Sequence, residues 1–317
     1  MSAELPKVLF TLNVPGEHLA PLDGLAEVIM PTPGWSAASH SDVLPLLHDC
    51  VGVISQGELR VDAELLDAAP NLRIVANAAM GIDNLDLDAL RQRNIIATNT
   101  PDAFAESTAD HTLGLILALT RRIVETDRFV RSGQWARGGM EPLRWQGTLL
   151  GGKTLGIIGY GRIAKLVEQR AKAFNLEVIH TRSSPSDHPD CRPLEQLLAE
   201  SDLVVVLVPH TDSTHHLFNT ETLALMKPGA RFINVARGKV MDETAVVAAL
   251  QSGHLSGAAF DVYEEEPKVS EALLSMDNVV LTPHTGGATN EERRQGRLAA
   301  AEDVARILRS ESPLNPL

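Results

Sequence analysis

Short runs of β-branched and aliphatic residues alternate with helix-length segments from end to end of the chain. Such alternation restricts it to an α/β architecture of parallel strands joined by crossover helices. The first hundred residues carry "KVLFTLNV", "VGVIS", "LRIVANAA" and "NIIATNT". A second series reads "KTLGIIG" (153–159), "LEVIHT" (176–181), "DLVVVLV" (202–208), "ARFINVA" (230–236), "LSGAAFDV" (255–262) and "NVVLTP" (278–283), six strand candidates that match a doubly wound sheet. At 317 residues the chain exceeds what one core usually supports, so two domains are expected.

Between the two series, "ESTADHTLGLILALTRRIVETDRFV" reads as one long linking helix, with Ser107 as its cap, Asp110 three residues on, and the domain boundary at its start. The last segment, "NEERRQGRLAAAEDVARIL", is amphipathic and has no strand after it. It is free to pack back on the first domain, which would make that domain discontinuous.

A net charge of −13 argues against nucleic acid and anionic lipid as partners, leaving small molecules and proteins. The longest apolar stretch, "LVVVLV", is too short to span a bilayer, and "MSAELPKVLF" lacks the basic start of a signal peptide, so the expected compartment is the cytoplasm. Cys50 and Cys191 form no C-x-x-C pair and no zinc spacing; no disulfide framework and no metal are expected.

"GIIGYGRIAK" (156–165) places Gly159, Gly161 and Ala164 in a G-x-G-x-x-A frame between a strand and a helix. That context suits a tight turn, close backbone approach to a pyrophosphate, and an anion seated on the helix N-terminus. An NAD site usually has Asp or Glu at the end of the second strand. This chain has "HTRSS" there: Thr181 takes the acidic position, and Arg182 and Ser183 offer a cation and a hydroxyl to a 2′-phosphate. NADP(H) is therefore the expected cofactor, with NAD(H) as the alternative.

Ligands of open α/β sheets bind beyond the carboxyl ends of the strands, where His210, Arg237, Asp261 with Glu266 downstream, and His284 fall. Together they offer a cation, a carboxylate and an imidazole to one substrate. The set suits hydride transfer to a 2-oxo acid: Arg237 would hold the substrate carboxylate, and a histidine beside a carboxylate would supply the proton. Spacing does not choose between His210 and His284.

These motifs resemble the D-isomer-specific 2-hydroxyacid dehydrogenases, a family that includes glyoxylate and hydroxypyruvate reductases. The carriers are "GKTLGIIGYGRIA" (152–164), "MKPGARFINVARGKVMDETAVVAAL" (226–250), "GAAFDVYEEEP" (257–267) and "NVVLTPHTGGAT" (278–289), with "MGIDNLDL" (80–87) and "NTPDAFAESTADHTLGLILALTRR" (99–122) earlier. The resemblance implies that Arg237 binds the substrate carboxylate and carbonyl, that His284 is the acid/base, and that Glu266 orients it. His210 then moves to the cofactor rim. It further implies dinucleotide contacts from Gly159, Tyr160, Gly161, Arg162, Ile163, Thr181, Arg182, Ser183, Pro209, Thr214, Val235, Asp261 and Gly286. Met80 and Gly81 would cap the substrate carboxylate, a tight turn with a core methionine being the other reading of that pair.

In fold, the resemblance implies a Rossmann-type domain, 100–289, and a smaller flavodoxin-like substrate domain, 1–99 with 290–317, the active site lying in the cleft. It also implies a homodimer with "RSGQWARGGMEPLRW" (131–145) as an interface arm, where Trp135 and Trp145 would bury unless they pack within one chain. Ala164 and "TPHTGGAT" depart from the commoner glycine and "TPHIGSAT". The chain ends soon after its last helix, so the regulatory extension of some relatives, and control by serine, are not expected. Glyoxylate and hydroxypyruvate are the leading substrates; bulkier 2-oxo acids, and a dinucleotide-sensing protein-binding module, are the alternatives.

Overall fold

The computed structural model describes residues 4–31, 39–139, 141, 143–184 and 186–317. The chain forms two compact units, Met1–Phe104 with Ala288–Leu317, and Ala105–Gly287.

The first unit holds strands β1 (Lys7–Phe10), β2 (Glu27–Ile29), β3 (Cys50–Ser55), β4 (Ile74–Asn77) and β5 (Ile96–Thr98) and helices α1 (His40–Val43), α2 (Ala63–Asp67) and α3 (Leu87–Gln92). Its sheet runs β2-β1-β3-β4-β5 with every pairing parallel, the flavodoxin-like order. β2 escapes the sequence reading because it is three half-exposed residues with no apolar run. Strand residues divide by parity. Leu9, Val53 and Val75 face a core shared with Leu65, Leu66, Ala89 and Leu90, while Val8, Phe10, Ile54, Ile74 and Ala76 face the other side. Ala300, Ala301, Val304, Ala305 and Ile307 of the C-terminal helix (Asn290–Leu308) cover that second side, along with Leu19 and Leu22 of the 3-10 turn Gly16–Leu22. Thr289 caps the helix, its hydroxyl accepting from the Glu292 N–H.

In chain order the second unit holds α4 (Ala105–Thr120), α5 (Ile123–Arg131), α6 (Gln134–Gly138), β6 (Thr154–Ile158), α7 (Arg162–Ala173), β7 (Glu177–Thr181), α8 (Leu194–Glu200), β8 (Leu203–Val206), α9 (Thr220–Ala224), β9 (Ala230–Asn234), α10 (Glu243–Gln251), β10 (Leu255–Phe260), α11 (Glu271–Leu274) and β11 (Val279–Leu281). All six strands are parallel, in the order β11-β10-β9-β8-β6-β7. A single bridge from His180 to Cys191 stands outside β7, where the dinucleotide fold carries a full edge strand. Alternate residues again face opposite layers: Leu155, Ile157, Leu203 and Val205 meet α4 and α7, whereas Val204, Val206, Phe232 and Phe260 meet α8 and α10.

The single long linking helix does not form. Arg122 takes left-handed backbone (φ 56) between α4 and α5. The carbonyl of Thr120 accepts instead from Thr148 N–H at 2.8 Å, and Gly147 lies so close that a Cβ there would sit 2.7 Å from that oxygen. Arg122 is held by Glu125 at 2.7 and 2.8 Å. Ser107 does not cap α4 either; the helix begins two residues earlier, at Ala105, and Ser107 is buried in its first turn. Of the 131–145 arm, Met140 and Pro142 lie outside the described residues. Trp145 packs within its own unit against Phe129 (4.8 Å between ring centroids) and the guanidinium of Arg144 (4.6 Å), while Trp135 is half exposed.

Gly156 marks the tightest helix–sheet approach in the second unit: a Cβ there would lie 2.2 Å from Ser201 Oγ and 2.5 Å from Leu197 Cδ2. Gly156→Val is expected to lower unfolding stability by about 3 kcal/mol through overpacking. Urea denaturation checks this, and an unchanged midpoint would mean that α8 is free to shift.

Candidate active site

The carboxyl ends of β6, β8, β9, β10 and β11 carry the polar residues of the second unit. Gly159 follows β6 with φ 90, and a Cβ on it would meet Val208 Cγ1 at 2.7 Å, so only glycine fits the turn. Gly161 is different. It sits at the N-cap of α7 with no side-chain cap, and a Cβ there would meet no protein atom within 4 Å. Packing within the chain does not require that glycine, and the space in front of it is open. The first turn of α7 thus presents backbone N–H groups and a positive dipole end beside an open approach, which fits a pyrophosphate. Ala164, third in the frame, is buried in the core beneath.

Tyr160, between the glycines, stacks on His180 (3.6 Å, 11°) and donates its hydroxyl to Glu168. Burial, reinforced by Glu168, pushes its phenol up to about 12, so it remains a donor. Thr181 ends β7, and Arg182 and Ser183 beyond it are exposed. After β8, the Thr214 hydroxyl donates to Pro209 O (2.7 Å) and accepts from Thr211 N–H (2.8 Å), tying that loop together. Among the described residues His210 pairs there only with His215, at 3.2 Å.

After β9, Asn234 is fully buried. Its Nδ2 donates to Arg237 O and its Oδ1 accepts from Ala236 N–H, both at 3.0 Å, which shapes the turn that carries Arg237. Val235 is buried beside it. Gly238 has no room for a side chain, since a Cβ would fall 1.8 Å from Tyr263 O. The backbone of 263–264 is therefore packed directly against the arginine turn.

The three glutamates of "EEEP" separate by contact. Glu264 accepts from Glu243 N–H (3.2 Å) and meets His216 (2.7 Å); Glu265 reaches Lys268. Glu266 alone meets His284, Oε2 to Nδ1 at 2.8 Å, while its Oε1 accepts from Tyr263 N–H at 3.0 Å. His284 has left-handed backbone (φ 53), fixed by its N–H donating to Asp261 O at 2.9 Å. Asp261 organises the rest of the turn. Its side chain, 2% exposed, accepts from the Thr282 hydroxyl (2.6 Å), Thr285 N–H (2.8 Å) and Gly286 N–H (2.7 Å), with His111 Nε2 at 3.3 Å. Tyr263 adds a bond to Thr282 O at 2.9 Å.

Charges follow the geometry. The Glu266 hydrogen bond raises the pKa of His284 against the opposing effects of burial and the Arg237 charge. Burial would lift Glu266, but the His284 bond and charge hold it below the usual carboxylate range. Burial likewise works against Asp261, and the donors from His111, Thr282, Thr285 and Gly286 overcome it. The second unit thus assembles an imidazole–carboxylate pair, with a guanidinium near enough to act on its charge. Asn234, Gly238, Tyr263 and His111 are the positioning residues the sequence reading missed; only Asn234, a lone amide in an apolar strand, carried a visible signal.

In the first unit, Met80 and Gly81 follow β4 and are half-buried, so Met80 is not a core methionine. Their carbonyls accept from Asn99 Nδ2 (2.8 Å) and Asn77 Nδ2 (2.7 Å).

A doubly wound parallel sheet with a glycine turn at its switch point and a histidine–glutamate pair beyond its strand ends defines a nicotinamide dinucleotide-dependent oxidoreductase. Comparison with known proteins narrows the class. The sequence profile of the D-isomer specific 2-hydroxyacid dehydrogenase NAD binding domain matches residues 113–286. The chain is 43% identical over 314 residues to the glyoxylate reductase of Pyrococcus furiosus, covering 96% of this chain and 91% of that one. It is 42% identical over 316 residues to that of Thermococcus onnurineus, covering 96% and 92%. Among solved structures, the TT0316 protein from Thermus thermophilus superposes with a TM-score of 0.90 at 38% identity, covering 98% of this chain and 99% of that one. The NADPH-dependent glyoxylate/hydroxypyruvate reductase from Sinorhizobium meliloti does so at 0.87 and 31%, covering 98% and 97%. The chain belongs to the D-isomer-specific 2-hydroxyacid dehydrogenases and is an NAD(P)-dependent enzyme of that family.

The His284–Glu266 pair fixes a pH window. The raised histidine contributes stability below its ordinary value of 6.5 and loses it as pH climbs through the raised value. The lowered glutamate contributes above 4.5 and loses it as pH falls through the lowered value. An NMR titration should find His284 above 6.5 in the wild type and lower in Glu266→Gln. Equal midpoints would show that the pair does not form in solution.

Proposed function

We propose that this enzyme is an NADPH-preferring reductase of small 2-oxo acids, with glyoxylate and hydroxypyruvate as substrates and D-2-hydroxy acids as products. The observation that carries the reading is the 2.8 Å His284–Glu266 bond on a turn locked by Asp261.

Arg237 holds the substrate carboxylate through paired hydrogen bonds, which a planar guanidinium makes and an ammonium does not. His284, protonated with the help of Glu266, donates its Nε2 proton to the carbonyl oxygen as negative charge gathers there. Glu266 fixes the ring by accepting at Nδ1 and stabilises the charged imidazole. Met80 and Gly81 contribute backbone N–H groups to the carboxylate. NADPH, when bound, supplies the hydride that reaches the carbonyl carbon; Gly159, Tyr160, Gly161, Arg162 and Ile163 would hold its pyrophosphate, with Pro209, Thr214, Val235, Asp261 and Gly286 toward the nicotinamide. Reduction therefore falls as pH rises through the pKa of His284, and oxidation of the hydroxy acid does the reverse.

The preference for NADPH rests on the end of β7. Thr181 stands where a ribose-binding carboxylate would, and Arg182 is exposed and makes no ion pair among the described residues. The NADPH dependence named for the Sinorhizobium meliloti relative supports the same choice. A homodimer belongs to this reading too, and it is supported by the exposed apolar side chains of Ile123 on α5 and of Trp135 and Leu143 on the arm.

Rates of NADPH and NADH oxidation with glyoxylate and hydroxypyruvate test the reading directly. His284→Asn should cut kcat by about 10²–10⁴-fold while the NADPH dissociation constant is kept; full turnover would remove His284 as the proton donor. Thr181→Asp should move the NADPH/NADH ratio of kcat/KM toward NADH by about tenfold or more, by repelling the 2′-phosphate and accepting from the ribose. An unaltered ratio would place the selector elsewhere.

A further inference from the structure

Alternation along β9 puts an arginine on a face that is otherwise apolar. Ile233 and Val235 face the layer of α4 and Phe232 the opposite layer, so Arg231 shares the α4 side with Ile233 and Val235. Its Nη2 donates to Thr148 Oγ1 at 2.8 Å, and no carboxylate among the described residues lies within ion-pair distance of it. A guanidinium carries five N–H donors, so most of those on Arg231 have no partner among the described residues. The residue is half-buried, and burial weakens its hold on its proton with no neighbouring carboxylate to offset the effect.

The space around this guanidinium comes from the break between α4 and α5. Leu119 lies directly on β10, since a Cβ on Gly257 would meet its Cδ1 at 3.0 Å. The chain then turns away at Arg122, where Gly147 and Thr148 return over the last turn of α4. A cleft of about 280 Å³ is left between α5 and the amino ends of β9, β10 and β11, with Arg122, Arg128, Arg231, Ser256, Asp277 and Asn278 among its walls. It opens on the edge of the sheet opposite the carboxyl ends that carry Arg237 and His284.

The charges on these walls do not cancel. Arg122 is held by Glu125 at 2.7 and 2.8 Å, which closes that pair. Arg128 and Asp277 are exposed and of opposite sign. Arg231 is left over, one positive charge without a counter-ion among the described residues. A half-desolvated guanidinium with unused donors is costly to the free protein and is stabilised by an anion. Its planar fork matches the paired oxygens of a carboxylate or a phosphate, and the size of the cleft limits the ligand to a small one.

We propose that this cleft is a binding site for a small oxyanion, a carboxylate or phosphate group, that Arg231 receives and Arg128 attracts. The site lies wholly within the second unit and does not depend on the reductase reading.

Calorimetric titration of the full chain at low chloride, with inorganic phosphate and separately with acetate, tests the assignment. At least one ion should bind saturably, and the tighter of the two tells a tetrahedral from a planar ligand. Arg231→Gln should weaken that binding by about tenfold or more. Arg182→Gln and Arg237→Gln remove guanidinium groups beyond the opposite ends of the strands and should leave one binding event at wild-type affinity. Should Arg231→Gln fail to fold, Arg231→Lys must weaken binding in its place, because the ammonium keeps the charge and loses the fork. Absence of saturable binding by either ion, or binding that the Arg231 variants leave unchanged, overturns the assignment. A dimer that Arg231→Gln dissociates, with neither ion bound by the wild type, overturns it as well and gives the cleft to a carboxylate of a second copy.

Discussion

Both faces of each sheet must be covered, because every strand is parallel and the strands alternate apolar residues to both sides. In the second unit the crossover helices meet that demand locally. The first unit lacks enough helix of its own. Val8, Phe10, Ile54 and Ile74 would face water without the alanine-rich side of Asn290–Leu308, so the chain ends in the unit where it began. The same parallel topology gathers all strand carboxyl ends on one edge, which is why residues far apart in sequence meet there.

At that edge the second unit directs its buried polar groups to backbone rather than to side-chain pairs alone. Asp261 binds two backbone N–H groups and a hydroxyl of the segment 282–286, and Asn234 binds both sides of the turn before Arg237. A buried carboxylate satisfied this fully is rigid, because moving the turn would strand it without donors. The left-handed backbone of His284 is tolerated under that constraint, and its imidazole is aimed by Glu266 rather than left to choose a rotamer.

Legibility differed by kind of feature. Ten of the eleven strands among the described residues announce themselves as apolar runs; β2 does not, having three residues and no buried position. The glycine frame was legible, yet the reason for each glycine was not: Gly159 is demanded by φ and by Val208, Gly161 by neither. The break at Arg122 was invisible because nothing in "LTRRIVE" disfavours helix. It is imposed by Gly147 and Thr148 returning over the last turn of α4, a tertiary override of local propensity. Likewise spacing does not separate the three carboxylates of "EEEP"; the resemblance named Glu266, and the structure gives Glu264 to His216, Glu265 to Lys268 and Glu266 to His284.

By itself the sequence determined the α/β class, the parallel order of events along the chain and the kinds of group available at the strand ends, since periodicity and turn chemistry act over a few residues. Spacing did not choose between His210 and His284, and the resemblance implied His284; only the tertiary structure brings Glu266 to its ring and leaves His210 beside His215. It alone brings Arg297 against Gln56 and His18. Hydrogen bonds and counter-ions are set by distance in space, and separations such as those between 56 and 297 are closed only by folding.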